Sequence, residues 1–174
     1  MLPLRILLVF FSWTGNTKVV AKEIMKNISI NNMVDTSEIQ PKKLRAYPTW
    51  LILSLLPGSK VKIRPTIHDL SCYDLIILGS PKWALSSPPI NEYLNSLKRC
   101  KGRMCAVFIT FGGFDEKRYL LQLENSLKKK KLRIIDRIAV RSSAIEKCEY
   151  LDEIKSFCMN IERIMKQKRL NQVL

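Results

Sequence analysis

Three short, continuous apolar runs constrain the fold of this chain more than any other feature. Each run is as long as one strand, and a segment with helical spacing of its apolar side chains follows each. Strands that are apolar on both faces are typical of a parallel sheet covered by helices on both sides. The runs are RILLVFF at residues 5–11, YDLIILGS at 73–80 and RMCAVFITFGG at 103–113.

Weaker patterns complete an alternation of strands and helices. The alternation predicts an α/β fold with a doubly wound parallel sheet, right-handed crossovers and ligands bound beyond the carboxyl ends of the strands. The 174 residues suit a single domain over residues 1–174. Further strands are predicted at 33–39, as a weak edge strand, and at 132–140, and helices at 16–28, after Pro88 or Pro89, at 116–131 and at 146–168.

The chain is strongly basic. Thirty Lys and Arg residues face fifteen Asp and Glu residues, which gives a net charge of +15. Such a surface attracts nucleic acid, anionic membrane or an acidic protein, and the charge alone does not choose among them. The run LKKKKLR at 127–133 is interpreted as a solvated helix end, because no aromatic residue interleaves its charges. No specific binding of nucleic acid is therefore predicted.

The cysteines and the single histidine do not form a recognisable site. An odd number of cysteines at irregular spacing is unlike a disulfide framework or a zinc or iron–sulfur motif. We interpret them as buried reduced thiols and predict a cytoplasmic location. His68 is followed by Asp69, which favours a loop hydrogen bond, so neither a metal site nor a catalytic residue is predicted. The cysteines are Cys72, Cys100, Cys105, Cys148 and Cys158.

Three turns at predicted strand ends are rich in small, hydroxyl-bearing or aromatic residues, and the first of them is SWTGNT at residues 12–17. A helix start leaves about four backbone N–H groups unpaired and carries a partial positive charge. Hydroxyls of Ser12, Thr14 and Thr17 add donors, and Gly15 lets the backbone approach a ligand closely. Capping needs only one such residue, so the segment predicts a phosphate cradle. It lacks both the Walker A and the GxGxxG pattern.

These residues carry a resemblance to a known family. SWTGNT is similar to the [ST]-x-T-G-x-T phosphate loop of the flavodoxin family. YDLIILGSPKWALSSPP resembles the third strand and flavin-flanking loop of that family, and VFITFGGF resembles its fourth strand and third flavin loop. The resemblance runs from residue 5 to about residue 168. It implies a flavodoxin-like five-stranded sheet of order 2-1-3-4-5 that binds flavin mononucleotide (FMN) noncovalently.

The resemblance assigns a role to each of the three turns. The first holds the phosphate, the second borders the isoalloxazine ring with Trp83 as the stacking candidate, and the third lines the pyrimidine side of the ring. Trp83 as a core aromatic, and Gly112–Gly113 as a plain turn, remain the alternatives. Phe111 and Phe114 are the candidates for a second stacking residue. The predicted cofactor-binding residues are Ser12, Trp13, Thr14, Gly15, Asn16 and Thr17 in the first turn, Ser80, Pro81, Lys82, Trp83 and Ala84 in the second, and Thr110, Phe111, Gly112 and Gly113 in the third.

Residues 40–70 form an extra segment that contains YPTWLILSLLPG, for which a short helix after Pro48 is predicted. We prefer a helix that caps the sheet, and the alternative is a patch for a partner or an anionic membrane surface, because basic residues flank it. The flanking residues are Lys42, Lys43, Arg45, Lys60, Lys62 and Arg64.

The resemblance implies an FMN-binding redox flavoprotein. An electron carrier and a small flavin-dependent reductase both stay open, so the sequence does not decide whether the protein is an enzyme. Many flavodoxins are acidic, whereas this chain is basic, and its expected partner is a redox protein with an acidic face or a small-molecule electron acceptor. The alternative function is a flavodoxin-like binding or scaffold protein that uses its basic surface and carries little or no flavin.

Overall fold

The computed structural model describes residues 3–43 and 46–170, and a single sheet contains the strands of this part of the chain. All neighbouring strands are parallel, and their spatial order is β2-β1-β3-β4-β5. The order implied by the resemblance is therefore confirmed. The strands are β1 (Arg5–Phe10), β2 (Met33–Glu38), β3 (Leu75–Pro81), β4 (Met104–Phe111) and β5 (Arg133–Arg141).

Helices cover both faces of the sheet. One face packs against α1, α5 and α6, and the opposite face packs against α3 and α4. The helix α2 lies in the connection between β2 and β3, where the sequence predicted a short helix. The helices are α1 (Asn16–Ile28), α2 (Tyr47–Leu55), α3 (Pro88–Ser96), α4 (Glu116–Lys129), α5 (Ser142–Glu146) and α6 (Leu151–Leu170).

The position of each strand in the sheet explains its composition. Every residue of β3 and β4 is buried, because both strands have a strand on each side and helices above and below. Strand β2 lies at the sheet edge and is half-buried to exposed, in agreement with its weaker apolar pattern. The continuous apolar runs therefore correctly predicted the interior strands of a parallel sheet.

The predicted helix over 146–168 is wrong at its start. The chain ends α5 at Glu146, turns, and begins α6 only at Leu151. Cys148 has a φ of 58°, in the left-handed region, and its amide donates to the Ile145 carbonyl oxygen. The sequence did not indicate this break, because Cys148 takes the left-handed conformation that glycine usually supplies and neither Gly nor Pro marks the turn.

The five cysteines, all in the described part of the chain, are free thiols. Burial raises the pKa of Cys105 and of Cys158 to about 12, so both stay protonated at neutral pH. Cys72 and Cys148 are exposed, so the expectation of buried thiols is wrong for these two. None of the described helices combines the length and the apolar character needed to cross a bilayer.

Candidate functional site

The turn between β1 and α1, here called the first loop (residues 11–15), leaves a helix start open. Gly15 has a φ of 99°, and α1 begins at the next residue without a side-chain cap. The amides of Asn16 and Thr17 have no acceptor among the described residues. The amide of Lys18 donates to Ser12 Oγ at 3.2 Å, which leaves the Ser12 hydroxyl proton available to a ligand.

Space and charge at this helix start suit an anion. A Cβ placed on Gly15 would meet no atom within 4 Å, so the backbone here borders open space. The first turn of α1 contains no acidic residue, and Thr14 is exposed beside it. The partial positive charge of the helix end is therefore not neutralised locally. The arrangement can hold a phosphate with backbone amides and two hydroxyls.

Thr17 lies deeper than the other polar residues of this region. Its hydroxyl is buried and lies 2.8 Å from the hydroxyl of Thr110, near the end of β4. The pair joins segments that are 93 residues apart in sequence. Thr17 therefore links the start of α1 to the end of β4, and its hydroxyl already has a partner.

The second loop (residues 82–87) follows β3, and backbone hydrogen bonds to neighbouring segments hold it in place. The amide of Lys82 donates to the Thr110 carbonyl at 2.7 Å, and the amides of Leu85 and Ser86 donate to the Ser54 carbonyl in α2 at 3.0 and 2.9 Å. Helix α2 therefore fixes the course of this loop by backbone hydrogen bonds.

Ser80, at the end of β3, is fully buried. Its hydroxyl lies 2.7 Å from the hydroxyl of Tyr119, which α4 supplies. Burial raises the pKa of Tyr119 to about 12, although the hydrogen bond from Ser80 lowers it, so the phenol stays protonated. Ser80 therefore joins β3 to α4 through its hydroxyl. Of the other cofactor-binding residues predicted in the second turn, Pro81 is buried, and Lys82, Trp83 and Ala84 are half-buried.

An aromatic cluster of Phe11, Trp13, Trp50 and Trp83 lies where these segments meet. The Trp83 ring centroid is 5.6 Å from Phe11, 6.1 Å from Trp13 and 5.5 Å from Trp50. The contacts with Phe11 and Trp13 are edge-to-face, the geometry that aromatic pairs prefer. Trp50 is fully buried, whereas Trp13 and Trp83 keep part of their surface exposed. The cluster connects the first loop, the second loop and α2.

The third loop (residues 112–115) follows β4. Phe111 is buried under the Arg141 guanidinium, whose carbon is 5.3 Å from the ring centroid. Gly112 and Gly113 are exposed, and Phe114 has 85% of its surface exposed. Of the two phenylalanines considered for stacking, Phe114 is the one with a free ring face.

The structure thus brings the three predicted turns to one edge of the sheet, next to the switch in strand order between β1 and β3. The sequence did not indicate two of the participants, Trp50 and Tyr119. Trp50 is separated from its cluster partners by more than thirty residues, and Tyr119 belongs to an amphipathic helix whose spacing explains it as core. In the sequence, all three tryptophans lie in or beside predicted loops, and this shared position is the one signal that could have indicated Trp50.

Comparison with known proteins found a sequence relative and many similar structures. No protein-family model matches the chain. An uncharacterized protein of Archaeoglobus fulgidus is 37% identical over 115 residues, which are 64% of this chain and 69% of that protein.

The similar structures are flavoproteins and flavodoxins. A flavoprotein from Lactobacillus acidophilus NCFM, solved in complex with FMN, has a TM-score of 0.63 and 22% identity, over 83% of this chain and 97% of its own. Oxidised Flavodoxin 2 from Bacillus cereus has a TM-score of 0.60 and 18% identity, over 91% and 98%. A flavodoxin from the domain Archaea has a TM-score of 0.55 and 17% identity, over 91% and 99%. The chain therefore belongs to the same family as the Archaeoglobus fulgidus protein, and its fold is that of the flavodoxins.

Proposed function

We propose that this protein is a redox flavoprotein that binds FMN noncovalently at the carboxyl edge of the sheet. The observation that carries the proposal is the open start of α1. Two backbone amides without acceptors, a hydroxyl proton on Ser12, the exposed Thr14 and the free space beside Gly15 meet there. This set of donors suits the phosphate of FMN. The similarity to a flavoprotein solved in complex with FMN supports the same ligand.

The flavin ring has two candidate stacking residues in this proposal. Trp83 is held by the aromatic cluster yet keeps part of its ring exposed, and Phe114 stands free in the third loop. Lys82, next to Trp83, adds a positive charge to the second loop. Bound FMN supplies the redox chemistry, and the protein orients the ring and sets its surroundings.

FMN titration against riboflavin tests the phosphate site. Thr14→Val should weaken FMN binding by about 1–3 kcal/mol, because a hydroxyl donor to a bound anion is lost. Riboflavin has no phosphate, so its affinity should change much less. Thr36→Val removes the same atoms from an exposed threonine on the edge strand β2 and serves as the control. Equal losses for FMN and riboflavin, or no flavin binding by the wild type, would contradict the proposal.

The redox role needs a second measurement. We propose an electron carrier for an acidic partner protein or a small reductase, and the two differ in their use of nicotinamide cofactors. Mixing the FMN-loaded protein with NADH or NADPH under anaerobic conditions and following the flavin absorbance separates them. Rapid bleaching indicates a reductase. No bleaching, together with salt-sensitive reduction by an acidic redox protein, indicates a carrier.

A further inference from the structure

Residues 39–68 differ from the rest of the chain in charge. This segment contains six basic residues and no Asp or Glu, so it supplies a charge of +6 to the chain's net +15. Arg45 lies outside the described residues, and the other five cations are exposed. None of these five forms an ion pair with a described carboxylate. The five are Lys42, Lys43, Lys60, Lys62 and Arg64.

Helix α2, inside this segment, has two different faces. Trp50 and Ser54 are fully buried, and Trp50 packs in the aromatic cluster. The other side, here called the α2 apolar face, consists of Leu51, Ile52 and Leu55 and continues into Leu56. Their exposed fractions are 41%, 62%, 52% and 56%, respectively. The interpretation of α2 as a helix that covers the end of the sheet therefore explains only its Trp50 side. It leaves four large aliphatic side chains in contact with water.

The backbone brings the two ends of the segment together beside this helix. The amide of Lys42 donates to the Lys62 carbonyl at 2.8 Å, and the amide of Arg64 donates to the Gln40 carbonyl at 2.7 Å. Pro41 and Ile63 form an antiparallel bridge between these bonds. The backbone thereby holds cations from before and after α2 on paired segments at the two ends of the stretch that contains this helix.

We infer that the α2 apolar face and its flanking cations dock this protein on an anionic lipid surface. Exposed aliphatic side chains on one side of a helix enter the boundary between headgroups and acyl chains, and nearby lysines bind the negative headgroups. The segment has both components and no carboxylate to oppose them.

Two other occupants suit the surface less well. A second copy of the chain would bring two clusters of positive charge together. Protein interfaces are enriched in aromatic residues, Met and Arg and depleted in Lys. This surface has the opposite composition, because its apolar part is Leu and Ile only and four of its five described cations are lysines. Lipid is therefore the occupant that its chemistry fits.

Docking would place the candidate cofactor site beside the bilayer. Trp50, on the inner side of α2, packs against Trp13 of the first loop and Trp83 of the second. The lipid contact itself uses none of the proposed FMN ligands, so the inference does not depend on the proposed function.

Co-sedimentation of the full chain with vesicles tests the inference. We expect binding to phosphatidylcholine vesicles that contain phosphatidylglycerol, weaker binding as salt rises, and no binding to phosphatidylcholine alone. Ile52→Ser with Leu55→Ser should reduce partitioning by at least about tenfold, since buried apolar surface is lost. Lys60→Gln with Lys62→Gln should reduce it by about twenty-five-fold, because each cation near the surface contributes about a factor of five.

Matched variants elsewhere on the surface control for a general effect. Leu121→Ser replaces a leucine on α4 that is 55% exposed, and Lys147→Gln with Lys166→Gln removes two exposed cations. These should reduce partitioning by about threefold at most, and thermal unfolding checks that every variant is folded. Absence of binding to the anionic vesicles would overturn the inference and leave an acidic protein face as the occupant. Equal losses in the α2 and control variants, or equal binding to neutral vesicles, would also overturn it.

Discussion

The first and second loops occupy neighbouring strand ends yet use their polar groups in opposite ways. The first loop leaves the Asn16 and Thr17 amides without acceptors among the described residues, and only the Lys18 amide is bonded by a loop side chain, that of Ser12. Hydrogen bonds to α2 hold the second loop in place. Ser80, just before this loop, is hydrogen-bonded to Tyr119 of α4. Similar polar composition therefore leaves unbonded donors at a helix start in one loop and gives a set of structural hydrogen bonds in the other.

Glycines at the two strand ends show the same contrast. Gly15 is needed for its left-handed backbone, while the space beside it is open. Gly79 lies directly before Ser80 with ordinary backbone angles, and a Cβ there would overlap the Phe108 ring. One glycine thus serves a turn that borders open space, and the other serves close packing inside the sheet. Variants of the groups that hold the second loop and its strand in place test this contrast between the two loops.

Trp50→Ala should remove the main packing contact between α2 and the two loops. Truncating a fully buried aromatic side chain typically lowers the free energy of unfolding by about 3–5 kcal/mol. Trp50→Phe should cost much less, because the indole N–H of Trp50 makes no hydrogen bond in the described structure. Urea denaturation measures both variants. If both variants lose only a little free energy of unfolding, packing of Trp50 does not hold α2 against the two loops.

Gly79→Ala should lower the free energy of unfolding by about 1–3 kcal/mol, because the new methyl group overpacks the sheet against Phe108. Combining it with Phe108→Leu should give a loss smaller than the sum of the two single losses, since the smaller side chain makes room. Gly15→Ala is the comparison variant, whose cost comes from backbone strain. Because no neighbour crowds Gly15, Phe108→Leu should not relieve that cost. Full additivity of the Gly79 and Phe108 changes would refute the packing explanation.

Tyr119→Phe should lower the free energy of unfolding by about 0.5–1.5 kcal/mol, the usual net contribution of one hydrogen bond. A double-mutant cycle with Ser80→Ala isolates the bond between the two hydroxyls. FMN affinity should not change in either variant, because the Ser80 hydroxyl is committed to Tyr119. Weaker FMN binding by Ser80→Ala alone would instead make Ser80 a cofactor contact, as the resemblance implied.

The smallest expected effect concerns the far end of α3, where Ser96 Oγ lies 2.8 Å from His68 Nδ1. Burial lowers the pKa of His68 below its ordinary 6.5, Lys98 lowers it further and Glu92 opposes the change. The unfolded chain therefore binds the proton first as pH falls. The wild type should lose stability between pH 6.5 and the lowered folded pKa, and His68 should contribute no pH dependence above 6.5.

Denaturation curves of the wild type and His68→Gln across this range check the sign. The difference in stability between the two proteins should be constant above pH 6.5. Below it, the difference should move in favour of His68→Gln, which has no imidazole to protonate. A movement in favour of the wild type would mean that the charged imidazole is stabilised in the folded state.

Local patterns predicted most of the fold but only part of the site. The interior strands followed from continuous apolar runs, and α1 from helical spacing together with the polar turn before it. The break at Cys148 could not be predicted, because a cysteine takes the left-handed conformation there and neither Gly nor Pro marks the turn. The pairing of Thr17 with Thr110 was equally hidden, because it joins residues 93 positions apart.

The sequence by itself determined the parallel sheet, the sites of its loops and the basic character of residues 39–68, because these depend on the order and chemistry of neighbouring residues. Only the tertiary structure decided which polar groups of the loops are free and which are bonded. It also decided that Trp50 faces inward while Leu51, Ile52 and Leu55 face water. Helix α2 is apolar on nearly all sides, so its own pattern gives no direction. The aromatic cluster and the hydrogen bonds from Leu85 and Ser86 to the Ser54 carbonyl orient it.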